Sequence, residues 1–302
     1  MRGRNLFGRA SRAGLFAVAA ATTALTSVTA HAADLLGQPT PGGLGLQPAG
    51  DALRQQAADF HNHILLPVIT AIALFVLALL IIVMVRFNKR ANPTPAKWTH
   101  NTLLEVVWTT VPVLILAVIA VFSFRLLFAY HDMPNPDLTV KATGNQWYWS
   151  YEYPAAVGGG ITFDSNLLPK DQAEAQKRPY MLAVDHPLVV PVGKNVQVLV
   201  YGSDVLHSFF IPAFGIQQTA VPGRVNSVWF HADKPGAYYG QCNELCGVKH
   251  AFMPIEVDVL SQADYDAWVA AHAKPAPAAS APAAAAQAAP SANATAPAAP
   301  KA

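Results

Sequence analysis

Two apolar runs separate the first half of the chain from the second. Ile64 to Val85 is almost continuously apolar, and Val106 to Phe124 repeats the pattern after a polar interval. Each is long enough for a helix to cross a bilayer core, which takes about 20 residues. Pro67 falls in the first turn of the first run, where a missing N–H is tolerated. From about Asp137 the pattern changes to short runs rich in Val, Tyr, Trp and Phe, separated by Gly and Pro. These are Leu138 to Ala142, Met181 to Val184, Leu188 to Pro191, Val196 to Tyr201, Val225 to Phe230 and Pro254 to Leu260. Their length and spacing predict the strands of a Greek-key β-sandwich, with Pro154 to Pro179 as an inserted Gly-rich, then polar, loop. The alternating aromatics Trp147, Tyr148, Trp149, Tyr151 and Tyr153 read as a further strand with large side chains on both faces.

The ends and the interval between the runs give the chain an orientation. Residues 1–32 carry Arg2, Arg4, Arg9 and Arg12, then an apolar stretch from about Ala13 to Val28, then Ala30-His31-Ala32. That order predicts a secretory signal peptide cut after Ala32, with a first membrane anchor as the alternative. Either way the next segment starts outside the cytoplasm. Residues 33–59 are rich in Gly, Pro and Gln without apolar periodicity, and read as a flexible leader. The interval from Arg86 to Lys97 holds Arg86, Lys89, Arg90 and Lys97, with no acid until Glu105. By the positive-inside tendency it is cytoplasmic, so residues 60–130 form a transmembrane hairpin with both ends outside. His61 and His63 flank the first span, as polar residues at a membrane interface often do. Residues 131–272 then make one external domain, and 273–302, mostly Ala and Pro, form a disordered tail.

Composition agrees with membrane spans: 53% of residues are hydrophobic and only 13% charged. The formal net charge of +2 and the lack of a basic cluster interleaved with aromatics argue against a nucleic-acid partner. The chain has just 2 cysteines, Cys242 and Cys246, followed by His250 and Met253. Thiolate, imidazole and thioether crowded into one loop suit copper better than calcium, magnesium or manganese. A disulfide would close so short a loop that it would constrain the unfolded chain little. Zinc prefers closed Cys/His sets, and Met253 argues against it. A mononuclear blue-copper site needs one cysteine, so the second is a surplus thiolate that can bridge two metals.

The stretch Tyr238-Tyr239-Gly240-Gln241-Cys242-Asn243-Glu244-Leu245-Cys246, completed by His250 and Met253, resembles the copper A loop of subunit II of haem-copper cytochrome c oxidases. Asp204-Val205-Leu206-His207-Ser208, the aromatic run from Gln146 to Tyr153 and Pro222-Gly223-Arg224 fit the same family, and the similarity covers about residues 60 to 260. The resemblance implies a cupredoxin-type sandwich, all-β and Greek-key, behind the two-helix hairpin. It also implies a binuclear copper A centre bridged by Cys242 and Cys246 and capped by His207 and His250. Met253 and the Glu244 carbonyl would be weak outer ligands, and the Glu244 carboxylate would share a magnesium ion with subunit I. Trp147 matches the tryptophan through which electrons arrive from cytochrome c. Glu105 matches a glutamate at the mouth of a proton pathway in subunit I, although a helix-start acid favoured by the helix dipole would look the same. Glu152, Asp185 and Asp204 match acids that dock cytochrome c.

The expected setting is a bacterial inner membrane, with the C-terminal domain in the periplasm and subunit I and other oxidase subunits as partners. Some positions depart from the family's pattern. Pro154-Ala155-Ala156-Val157-Gly158-Gly159-Gly160 stands where an acid-rich stretch is common, Asn145 where histidine is common, and Gln217-Gln218-Thr219 where Lys-x-Asp is common. These changes predict a less acidic docking face. A membrane-tethered copper carrier would explain the ligands but neither Trp147 nor Glu105. A quinol oxidase subunit would lack the ligands, and nitrous oxide reductase, which shares the loop, would add a large catalytic domain.

Overall fold

The computed structural model describes residues 36–273. The expected signal peptide, and the tail from residue 274 on, lie outside the described residues. The expected leader loop contains a helix, α1 (Ala52–Phe60), which runs through a π-helical turn at His61–Leu65 into α2 (Leu66–Arg86). Its start is fixed by Asp51, whose side chain accepts a hydrogen bond from Arg54 N at 2.6 Å. Burial pushes the Asp51 carboxyl up to about 6. The leader is also tied down across the chain. Arg54 Nε donates to Pro212 O at 2.9 Å, Gly50 N to Ala213 O at 2.7 Å, and Tyr239 N to Gly37 O at 2.8 Å. Gly, Pro and Gln content hides both this helix and the long-range bonds that tie the segment down.

The second long helix, α3 (Thr102–His131), outruns its apolar run at both ends and is capped by Asn101, which accepts from Leu104 N at 3.1 Å. The two candidate spans, Ala52–Arg86 and Thr102–His131, reach mean hydropathies of 3.3 and 2.6. Their large side chains, such as Phe75, Leu80, Leu116 and Phe124, are exposed along both helices. Apolar surface of that extent requires lipid or partner subunits to cover it.

The remainder is a sandwich of two five-stranded sheets. Their strands are β1 (Leu138–Asn145), β2 (Tyr148–Glu152), β3 (Thr162–Ser165), β4 (Leu188–Pro191), β5 (Asn195–Gly202), β6 (His207–Ile211), β7 (Ile216–Ala220), β8 (Asn226–His231), β9 (Gly236–Cys242) and β10 (Pro254–Leu260). One sheet runs β3-β2-β1-β5-β8 and the other β4-β10-β9-β6-β7, so the chain crosses repeatedly between layers in Greek-key fashion. In β1 and β5 every second residue is buried, and the parallel register sets Val140 beside Val198. Between the layers Trp149 meets Phe209 edge-on at 5.5 Å and Phe214 stacks on Phe230 at 4.5 Å. Each fully buried large apolar side chain contributes roughly 1.5–3 kcal/mol. The cupredoxin-like sandwich behind a helical hairpin is thus the observed architecture.

One expected strand is absent. Met181–Val184 forms a turn with a single bridge from Val184 to Leu167, because Met181 takes φ 72°. Four others escape a reading of local pattern: β3 lies in the stretch expected to be an inserted loop, β6 and β7 are short, and β9 begins at Gly236 and is interrupted by Gly240.

The inserted loop carries a short helix, α4 (Lys170–Ala175), and is pinned where Arg178 pairs with the buried Glu256 of β10. Burial raises the Glu256 carboxyl, opposed by the Val184 N–H at 2.9 Å and by Arg178. Removing one partner of such a pair strands a buried charge. Arg178→Met is therefore expected to destabilise the sandwich by about 3 kcal/mol, and adding Glu256→Met should recover most of the loss. Thermal denaturation of the purified protein, followed by near-ultraviolet circular dichroism, reads both. A single variant as stable as the parent would mean the Val184 N–H alone satisfies Glu256.

Candidate metal centre

Strands β6 and β9 lie side by side with Phe209 opposite Cys242, which brings His207, at the start of β6, to the end of β9. Cys242 closes β9, the chain loops through Glu244 and Cys246, makes a 3-10 turn at His250–Phe252, and returns as β10 just after Met253. The candidate ligand atoms converge. The two Sγ atoms are 3.9 Å apart, about twice the ~2.05 Å of a disulfide bond, and both cysteines are free thiols. His207 Nδ1 lies 4.0 Å from Cys242 Sγ, and His250 Nδ1 lies 3.6 Å from Cys246 Sγ. Met253 Sδ is 3.5 Å from Cys246 Sγ, and the Glu244 carbonyl is 3.3 Å from Cys242 Sγ. The donor atoms of His207, Cys242 and Cys246 all fall within 4.8 Å of one another.

Each ligand is held by its neighbours. His207 is fully buried, and its Nε2 donates to Asp204 Oδ1 at 2.8 Å, which leaves Nδ1 turned to the sulfur pair. A carboxylate behind a ligating histidine fixes both tautomer and ring angle. Gly144 leaves room for that ring, since a Cβ there would come within 2.9 Å of it. Trp149 borders the same imidazole at 6.2 Å.

The thiols titrate as a pair. Burial opposes ionisation of Cys242, yet His207 and the backbone N–H of Ser208 draw its thiol down. Burial and the charge on Cys242 push the Cys246 thiol up. Two thiolates this close repel unless a cation lies between them, and ligation requires both deprotonated. A soft donor set of two thiolates, two imidazoles and a thioether fits copper.

The indole Nε1 of Trp147 donates to the Cys246 carbonyl at 3.2 Å, and Gln146 Nε2 donates to the same oxygen at 2.9 Å. The ring sits close against Gly247, where φ is +123° and a Cβ would come within 2.9 Å of it. Trp147 is thus in direct contact with the ligand loop, while Trp149, Tyr151 and Tyr153 belong to the core.

The other candidates are dispersed. Glu105 sits at the opposite end of α3, about 40 Å along the helix from its exit at ~1.5 Å per residue. There its Oε1 accepts from Asn101 N at 3.3 Å. Glu152 pairs with Lys141 at 2.7 Å, and Asp185 accepts from Asn166 N and His186 N, both at 2.7 Å. Asp204, read from sequence as a docking acid, spends one oxygen on His207 and the other on Gln146 N at 2.8 Å. That positioning role was missed; its signal is the carboxylate three residues before the ligand.

Comparison with known proteins follows the same outline. The family profile described as cytochrome c oxidase subunit II, periplasmic domain, matches residues 138–260, and that for the subunit II transmembrane domain matches residues 39–126. The cytochrome c oxidase subunit 2 of Cereibacter sphaeroides is 41% identical over 271 residues, covering 85% of this chain and 88% of that protein. That of Oenothera berteroana is 42% identical over 234 residues, covering 76% and 90%. The crystal structure of the periplasmic domain of subunit II of the Bradyrhizobium japonicum cytochrome oxidase is 48% identical, covering 46% of this chain and 96% of that one with a TM-score of 0.43. Since the likeness runs through helices and sandwich alike and spans nearly the whole of these relatives, the chain belongs to the cytochrome c oxidase subunit II family.

Proposed function

We propose that this chain is the electron-accepting subunit of its oxidase, holding a binuclear copper A centre on the periplasmic side of a bacterial inner membrane. Membership of the family makes it one part of a haem-copper oxidase, an oxidoreductase of several subunits. The observation that carries the reading is the convergence of two imidazole nitrogens and a thioether on one buried sulfur pair. When bound, a copper pair there supplies one-electron uptake and release with little change of geometry.

The side chains supply the rest. Cys242, Cys246, His207, His250 and Met253, with the Glu244 carbonyl, would hold the copper pair, the two thiolates and two imidazoles as its strong ligands. Asp204 holds the buried His207 ring in its ligating tautomer, and the Trp149 and Phe209 rings keep water from that side. Trp147 receives electrons from a docked cytochrome c, with Glu152, Asp185 and Asp204 drawing in its lysines. Their existing partners, together with the Gly-rich 154–160 stretch, leave a weakly acidic docking face. The Glu244 carboxylate would help to hold a magnesium ion at the boundary with subunit I, to whose haem the centre would pass its electrons. The loop from Arg86 to Lys97 faces the cytoplasm, where Glu105 feeds the proton pathway of subunit I. A tethered copper carrier has no use for an indole bonded to a ligand cysteine's carbonyl, and that contact favours the oxidase.

Electron paramagnetic resonance of the purified oxidase tests the centre. One unpaired electron shared over two copper nuclei is the expected spectrum, and a signal confined to a single copper nucleus would sink the bridged pair. For Glu105, replacement by Ala is expected to slow oxygen reduction while electron uptake from cytochrome c keeps its rate. Equal slowing of that uptake would point to a helix-start defect instead.

A further inference from the structure

We propose that the outer end of the helical hairpin carries a binding site for one zwitterionic phospholipid, its ammonium–phosphate headgroup gripped by Asp59 and Arg125. A groove of about 430 Å³ opens there between α1 with its π-helical turn and α3, lined by Gln56, Asp59, Phe60, His63, Phe122 and Arg125 together with Ile64 and Leu126. Contact between the two long helices is concentrated at this end, where α1 packs on α3. The groove therefore forms the upper limit of the space between the two spans.

Its chemistry is divided by depth. Arg125 stands at the outer edge of an apolar span and pairs with no acid among the described residues. A guanidinium at that depth reaches for the interface and for phosphate, which it binds through two parallel N–H groups. Asp59 lines the same groove without pairing with Arg125; its Oδ1 accepts only the side-chain amide of Gln55, at 2.9 Å. Two opposite charges that share a groove but not each other match a ligand bearing both signs. His63 adds an acceptor for the ammonium: its Nδ1 donates to the Asp59 carbonyl at 3.1 Å, which leaves the Nε2 lone pair free. The π-helical turn is what places His63 on this face, and such turns recur at functional sites. The rings of Phe60 and Phe122 and the branched chains of Ile64 and Leu126 offer an apolar wall for the acyl chains. An anionic headgroup would leave Asp59 facing like charge, which is the reason to prefer the zwitterion.

Native mass spectrometry of the assembled oxidase in mild detergent, supplemented in turn with phosphatidylethanolamine, phosphatidylglycerol or inorganic phosphate, tests the site. The parent complex is expected to retain phosphatidylethanolamine in preference to phosphatidylglycerol, and free phosphate should not compete. Arg125→Gln should lower retention by about tenfold, the scale of one charge-assisted hydrogen bond. Arg125→Lys should restore part of it, and Asp59→Asn should erase the preference between the two lipids while leaving binding. Electron uptake from cytochrome c should hold its rate in all three. Equal retention of both lipids by the parent, or unchanged retention in Arg125→Gln, overturns the proposal. So does loss of subunit association in Arg125→Gln with lipid content intact, which would assign Arg125 to a carboxylate of a neighbouring subunit.

Discussion

Cys246→Ser in the assembled oxidase is expected to abolish the shared-electron copper spectrum and to stop rapid electron uptake from cytochrome c. Cys246 is the hub of the ligand loop: its sulfur is approached by Cys242, His250 and Met253, and its carbonyl accepts both Gln146 and Trp147. Replacing groups behind metal ligands typically costs about 10- to 100-fold in affinity, so loss of the thiolate proposed to bridge should cost more. Serine keeps the backbone and nearly the volume, and the sandwich should still fold, since its core of Phe209, Phe214, Phe230 and Ile255 is untouched. Copper analysis and paramagnetic resonance on the same sample decide it. Two coppers with an unchanged spectrum would remove Cys246 from the bridge.

Trp147→Gln is expected to leave copper content and thermal stability near those of the parent, yet to slow electron transfer from bound cytochrome c by orders of magnitude. The indole is half-buried and bonded to the Cys246 carbonyl, so it joins the outer surface to the candidate ligand loop by one hydrogen bond. It contributes no ligand atom, and for that reason its loss should spare the metal. Glutamine preserves a donor for the Cys246 carbonyl and isolates the effect of the ring. Flash-triggered kinetics at saturating cytochrome c provide the measurement. A rate equal to that of the parent would make Trp147 a packing residue of the 146–153 segment.

The features that could be read in the sequence were those written in local chemistry. Continuous apolar runs identify the spans because a bilayer imposes length and composition on every residue. Cys242, Cys246, His250 and Met253 identify the loop because soft donors are rare and their spacing is short. His207 needed the Asp204-to-Ser208 motif, since its burial among Phe209 and Trp149 would equally suit a core histidine. What stayed hidden was carried by distant partners. α1 is short, and its placement depends on Arg54 reaching Pro212. β9 is interrupted by Gly240, yet pairs on both sides. Met181 to Val184 has a strand's composition but turns at Met181, whose backbone enters the left-handed region. Asp204 looks like a surface acid until His207 is placed behind it.

The sandwich is joined to the hairpin at two places far apart in sequence. Arg54 and Gly50 hold the Pro212–Ala213 turn, and Trp229 Nε1 donates to Tyr130 O at 2.8 Å near the exit of α3. A domain on a single stalk can swivel about the membrane normal; one fastened at two points cannot, and its azimuth is set. Tunnelling between redox centres falls steeply with separation, so a swivelling domain would sample many gaps and spend most of its time at slow ones. The leader helix thus acts as a second mooring line that converts a tethered domain into an aligned one. Cutting either tie should broaden the distribution of transfer rates before it alters the protein's stability.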